Sequence, residues 1–182
     1  MRNILIRHNG ITYPNDLAMN SASRIMPSND DRYQKRKRPA RGVIEIAGQP
    51  TIVFDTVCTK DRARWLACDE VHQLLVEIWT DASAWLVGRY MIMPAHIHFF
   101  AGHRDGATKY ENWVKYWKSR FTKKFQRPEC RWQVDDFDHR VRSAASYEQK
   151  WEYVRENPVR CGLVENSDDW PYQGEIHELR WE

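Results

Sequence analysis

Residues 85–101, WLVGRYMIMPAHIHFFA, restrict the fold of this chain more than any other segment. The run is almost wholly apolar and is interrupted at Pro94, which has no N–H to give to a sheet ladder. It therefore reads as two strands, residues 85–93 and 96–101, joined at Pro94 and Ala95 into a tight hairpin. The second strand opens with two imidazoles, His96 and His98. Side chains two apart on a strand share a face, so the pair projects together while Ile97 enters the opposite layer. Two neutral imidazoles side by side can ligate one divalent metal. They can equally be core histidines that satisfy structural hydrogen bonds. Position 100 is Phe, so the segment is not the HxHxH pattern of nucleotide hydrolases.

The remaining pattern supplies partners for that hairpin. Residues 50–59 are rich in β-branched side chains and read as a strand. Residues 68–82 place Val71, Leu74, Leu75, Ile78 and Trp79 at helical spacing. Residues 108–125 form an amphipathic helix with an apolar stripe of Tyr110, Trp113, Val114, Trp117, Phe121 and Phe125. Its other surface is biased positive by Lys115, Lys118, Arg120, Lys123 and Lys124. Residues 131–143 are mixed strand or loop, and residues 146–157 are helical. Ser146 with Gln149 resembles a capping box, and Pro158 disfavours helical geometry at Asn157. The C-terminal stretch DDWPYQ reads as a packed turn and tail. This order predicts an α+β fold with a central, mostly antiparallel sheet covered by helices.

Before about residue 43 the pattern is different. Six basic residues crowd between Arg32 and Arg41 with no apolar period. Such a run cannot bury enough surface to order itself. Residues 1–42 are expected to be a flexible basic extension and residues 43–182 the folded domain. Arg38 and Arg41 could touch a phosphate backbone from that arm. The net charge of the whole chain is only +3, so the placement of positive charge matters more than its sum. The four cysteines, Cys58, Cys68, Cys130 and Cys161, show no CxxC spacing and read as thiols in a reducing compartment. No apolar run approaches the length of a membrane span.

A second constellation follows the histidines. In EYVRENPVRCGLV, Tyr153 and Asn157 lie four apart and would share a helix face. A phenol with a pKa near 10 is a weak nucleophile until polarised. Beside a metal it can attack a phosphodiester and hold a DNA end as a phosphotyrosine. The amide oxygen of Asn157 could complete the shell, and two imidazoles with an oxygen suit Mg²⁺ or Mn²⁺. Tyr147, Tyr110 and Tyr116 are rival nucleophiles on spacing alone.

MPAHIHFF resembles the His-hydrophobic-His (HUH) motif of single-tyrosine transposases. FDHRVRS, YEQKWEYVRENPVRCGLVE and DDWPYQ, in that order, resemble one branch, the REP-associated tyrosine transposases. The likeness runs from about residue 50 to residue 172. It implies His96 and His98 as metal ligands, Tyr153 as nucleophile and Asn157 as the third ligand one turn on. It also implies a supporting role for His139. Ala95 departs from the Asn or Glu frequent at that position. The implied fold is an antiparallel sheet with helices on both faces, close to a ferredoxin or RRM arrangement.

The implied chemistry is metal-dependent nicking and rejoining of single-stranded DNA. The implied substrates are repetitive extragenic palindromes, folded as hairpins beside a tetranucleotide. The basic helix would face that DNA. The resemblance favours a monomer in the bacterial cytoplasm, associated with the nucleoid, with a helix-swapped dimer as the alternative. Two other functions compete: a palindrome-binding module that does not cut, and a phosphohydrolase that uses metal-bound water.

Overall fold

The structure, a computed structural model, describes residues 51–103 and 108–180. The expected basic extension 1–42 and the domain's first residues lie outside them. The chain runs β1 (Ile52–Cys58), α1 (Asp69–Asp81), β2 (Trp85–Met93), β3 (His96–His103) and α2 (Tyr110–Phe125). It continues through β4 (Phe137–Val141), α3 (Ala144–Arg155), α4 (Asn157–Arg160) and β5 (Gln173–Glu175). The strands form one antiparallel sheet in the order β4-β1-β3-β2-β5. The class is α+β, as the element order predicts.

Pro94 and Ala95 turn the chain between β2 and β3, where Met93 pairs with His96. β3 lies at the centre of the sheet, between β1 and β2. Its alternation sorts the two layers. Ile97, Phe99 and Ala101 join the main core with α1 and α2. The Phe99 ring lies 5.6 Å from Trp79, 6.0 Å from Trp113 and 6.1 Å from Trp117. The whole apolar stripe of α2 is buried there, as its spacing predicts. Phe100, two residues beyond His98, points the other way and meets Tyr147 of α3 at 4.0 Å.

The α3 layer is the thinner one. Tyr147 and Val154 are the buried residues of α3. Val154 packs with Met91, Met93 and Trp170, and the Trp170 indole donates to the Ile92 carbonyl at 3.0 Å. Leu179 fills the same layer over Gly88 and Gly102. A Cβ on Gly88 would stand 2.7 Å from the Leu179 side chain, so the close approach requires glycine.

Three local expectations are corrected. The helix cap is Ser143, whose Oγ accepts from the Ser146 amide at 3.2 Å, so α3 begins two residues before Ser146. Ala144 and Ala145 favour that extra turn. The helix also ends at Arg155 rather than Asn157. Glu156 (φ −80°, ψ −2°) leads into α4, which holds Pro158 in its first turn, where a missing N–H is harmless. Finally, the segment expected to be a tail contributes β5 on the edge of β2.

Asp55 is fully buried on the α2 side of β1, and the Tyr110 hydroxyl donates to its Oδ2 at 2.7 Å. Its Oδ1 has no partner. Burial raises the Asp55 pKa to about 7, with help from the charge of Asp136 and against the Tyr110 hydrogen bond and Lys118. The folded chain thus holds this proton more tightly than the unfolded chain. Its contribution is fully present below the unfolded pKa, about 4, and is lost as the pH rises through about 7. Buried histidines with lowered pKa values titrate with the opposite sign. The difference between wild type and Asp55→Asn isolates the carboxyl contribution. In urea titrations, wild type should lose stability relative to Asp55→Asn across that window, with a limiting slope of about 1.4 kcal/mol per pH unit. Parallel pH profiles for the two proteins would refute the assignment.

Candidate active site

The histidine face of the sheet is built from β3 and its neighbour β1. Antiparallel pairing sets Thr56 opposite His98 and Phe54 opposite Phe100. Directly opposed residues share a face, so Phe54, Thr56, His96 and His98 form one surface. The two imidazoles stand edge to face with centroids 4.7 Å apart. Thr56 Oγ1 lies 2.8 Å from His98 Nδ1. When the threonine accepts from Nδ1–H, the Nε2 lone pair of His98 is left for a ligand.

Burial lowers the pKa of His96 to about 4, with a contribution from the positive charge of Arg62. Burial lowers that of His98 to about 3, reinforced by His96, Arg160 and Arg62. Both rings are neutral at physiological pH, the form in which imidazole binds a metal.

His139 reaches the site through Phe54. It lies edge-on to that ring at 5.4 Å, and Phe54 stacks on His98 at 5.7 Å. Burial lowers its pKa, and the nearby Lys150 charge adds to the effect. Lys150 also sits 5.7 Å over the same Phe54 ring.

The tyrosines separate by environment. Tyr110 is buried, and burial with the adjacent Asp55 charge holds its hydroxyl protonated. Tyr147 is packed on Phe100, and burial pushes it to about 12. Tyr116 is half exposed, but it lies on α2 beneath the opposite face and accepts from Arg120 at 3.2 Å. Tyr153 is 68% exposed and stands on α3, on the histidine side. The Arg160 guanidinium covers its ring at 4.2 Å. Arg160 also donates to the Tyr153 carbonyl at 2.6 Å and to Asn157 Oδ1. Its charge is among those felt by His98. Arg160 thus joins the tyrosine to the asparagine, and its charge is felt at His98. Nothing in its sequence spacing singles it out.

The donor set fits a divalent cation. It offers two neutral imidazoles, one of them oriented by Thr56, and an amide oxygen with a second lone pair beyond the one Arg160 uses. Among the described residues no group of three or more His, Cys, Asp or Glu converges. Asn157 is the amide that the sequence spacing offers as a third ligand.

The basic helix is less available than its composition suggests. Arg120 pairs with Asp81 at 3.1 Å, Lys124 with Glu77 at 2.5 Å and Lys118 with Asp136 at 3.8 Å. Among the described residues, Lys115 and Lys123 have no such acidic partner. All five side chains belong to the layer across the sheet from the histidines. Arg38 and Arg41 lie outside the described residues.

No protein-family model matches the chain, but individual proteins do. A Haemophilus influenzae protein provisionally named a REP-associated tyrosine transposase is 28% identical over 105 residues, 50% of this chain and 59% of that one. The match thus spans about three fifths of that relative's length. The REP-associated tyrosine transposase of Escherichia coli is 24% identical over 122 residues, 65% of this chain and 73% of that one. A solved REP-associated tyrosine transposase bound to a REP hairpin superposes with a TM-score of 0.60 at 22% identity, covering 68% of this chain and 75% of that one. This last likeness establishes the shared fold.

The hydrogen bond between Thr56 and His98 gives a test of the metal site. Thr56→Val keeps the β-branched shape and removes the hydroxyl. Mn²⁺ affinity, measured by isothermal titration calorimetry, should fall by about 10–100-fold with little change in thermal midpoint. Unchanged affinity would show that Thr56 does not orient the ring.

Proposed function

We propose that this chain, a relative of the REP-associated tyrosine transposases, nicks and rejoins single-stranded DNA at palindromic hairpins, with Tyr153 as nucleophile. One observation carries the proposal. Of the four tyrosines with suitable spacing, Tyr153 is the one that is solvent-exposed on the histidine side, beneath the Arg160 guanidinium, whose charge is among those felt by His98.

Mg²⁺ or Mn²⁺ held by His96, His98 and Asn157 would polarise the scissile phosphate and stabilise its developing charge. The phenol oxygen of Tyr153 forms a bond to phosphorus as the bond to the 3′-oxygen breaks. The phenolic proton passes to solvent, and the departing oxygen leaves as a 3′-hydroxyl. The product is a 5′-phosphotyrosine. A 3′-hydroxyl attacking that linkage reverses the step, so no nucleotide triphosphate is consumed. Arg160 holds the Tyr153 ring and adds positive charge beside the phosphate. His139 supports His98 through Phe54.

Hairpin backbone would be tracked by Lys115 and Lys123, with Arg38 and Arg41 from the basic arm. Lys118, Arg120 and Lys124 join them only by exchanging their acidic partners for phosphate. The unit of function is residues 43–182, with residues 1–42 as an accessory arm. It acts as a monomer in the bacterial cytoplasm, near the nucleoid. Among the described residues no helix is long and apolar enough to cross a membrane.

A second reading, a palindrome-binding module that does not cut, draws on one observation. The Asn157 amide oxygen already accepts from Arg160, so the third ligand position is contested.

The deciding assay is a denaturing gel of the protein with Mn²⁺ or Mg²⁺ and labelled single-stranded repeats flanking its own gene. Wild type should give a metal-dependent covalent protein–DNA band, abolished in Tyr153→Phe. Hairpin binding without cleavage under both metals selects the binding module. Cleavage that survives in Tyr153→Phe with a covalent band selects another tyrosine, and without one it selects hydrolysis by water.

A further inference from the structure

The chain just after β1 adopts an unusual backbone. Asp61 and Arg62 both take left-handed conformations, with φ of 55° and 56°. Such geometry in a residue with a side chain costs about 1–2 kcal/mol each and persists only when the surroundings impose it. The surroundings here are specific. The fully buried Thr59 hydroxyl is shared between the Ala63 carbonyl at 2.8 Å and the Ala95 carbonyl at 3.0 Å. The Thr59 amide donates to the same Ala95 carbonyl, and the Leu66 amide donates to the Pro94 carbonyl. The loop is thereby fastened to the β2–β3 turn that delivers the histidines.

The fastened loop forms one wall of a cavity of about 270 Å³. Arg62 and Arg64 supply its charge, Met93, Pro94 and Leu163 its apolar surface, and His96 opens onto it. Both arginines are exposed, and among the described residues neither has an acidic partner. This contrasts with Arg120, Lys124, Lys118, Arg127, Arg155 and Arg89, which are each matched by a carboxylate. Arg62 and Arg64 thus place two uncompensated cations beside His96.

We propose that this cavity is a subsite for one nucleotide of single-stranded DNA adjoining the scissile phosphate. Arg62 and Arg64 hold its phosphate, and Met93, Pro94 and Leu163 receive its base. The guanidinium fork suits a phosphate bidentately, and an apolar wall is tolerant of base identity. Arg62 joins the cavity wall from the left-handed stretch of the loop. The assignment rests on the DNA-processing reading above and extends it to a named place on the chain.

The test is binding in EDTA, where no cleavage occurs. The probes are a short oligothymidylate and a self-complementary DNA hairpin without single-stranded flanks, each followed by fluorescence anisotropy. In the double variant Arg62→Gly, Arg64→Ala, oligothymidylate affinity should drop about tenfold and hairpin affinity should hold. The log–log salt slope should flatten by about 0.7 for each phosphate no longer bound. Arg62→Gly relieves the left-handed backbone, so the thermal midpoint should not fall, and a folding defect is distinguishable from weaker phosphate binding.

Cys161 also borders the cavity and is the exposed cysteine among the described residues. Oligothymidylate should slow its alkylation by maleimide several-fold in wild type. Equal weakening for both DNAs, or an unprotected Cys161, overturns the subsite. Wild type that binds the hairpin but not oligothymidylate overturns the subsite and leaves the DNA reading standing. Wild type that binds neither removes both.

Discussion

Alternation along β3 is the constraint on which the rest depends. Ile97, Phe99 and Ala101 are tied into a tryptophan-rich core with α1 and α2, which fixes the direction of every other residue on the strand. His96 and His98 are carried to the opposite surface as a consequence. Their rigidity derives from the burial of their neighbours, since an imidazole between two well-packed residues has little freedom to rotate away. β1 obeys the same rule: Asp55 faces the core helices while Thr56 faces His98. Two adjacent polar residues on one strand therefore hold unrelated tasks.

Electrostatics divides along the same sheet. The helix with the most conspicuous positive charge, α2, has much of it matched by acids on α1 and the β4 approach. The pairs with α1 are exposed or half-exposed and add little stability individually, while Lys118 and Asp136 are the more buried pair. Their effect is to leave that layer closer to neutral than its sequence suggests. On the histidine side, Arg62, Arg64 and Arg160 have no carboxylate partner among the described residues. The positive excess of the chain comes from residues 1–50, which hold 9 Lys or Arg against 4 Asp or Glu, so in the folded part the placement of cations matters more than their number.

The larger elements are legible in the sequence. The hairpin at Pro94 and the stripe of α2 can be read because each spans enough residues for its period to be unambiguous. β5 cannot, because Gln-Gly-Glu is short, polar and weakly strand-forming, and it is held only by pairing with the edge of β2. The helix start is displaced because Ser143 and Ser146 are both plausible caps, and only the backbone bond to Ser143 decides between them. His96, His98 and Tyr153 can be named because they sit in dense local patterns. Thr56 cannot, since a β-branched residue in a strand needs no further reason to be there. Its hydrogen bond with His98 exists only once residues 42 apart are paired. Arg62 is hidden in a polar loop, and nothing in its neighbours' identities announces a left-handed backbone. Likewise, the charges on α2 are readable, but their neutralisation by distant acids is not.

The strict division of β1 between two layers has an evolutionary corollary. Substitutions on the core side can drift without altering the chemistry, provided volume is kept, because no side chain there faces the histidines. Changes of length cannot. Inserting or deleting one residue between Val53 and Val57 would exchange the two surfaces beyond that point, sending a carboxylate toward the imidazoles and a hydroxyl into the tryptophan core. For this strand the spacing of residues is inherited more strictly than their identities, and diverging relatives should accumulate their insertions in the loops beyond it.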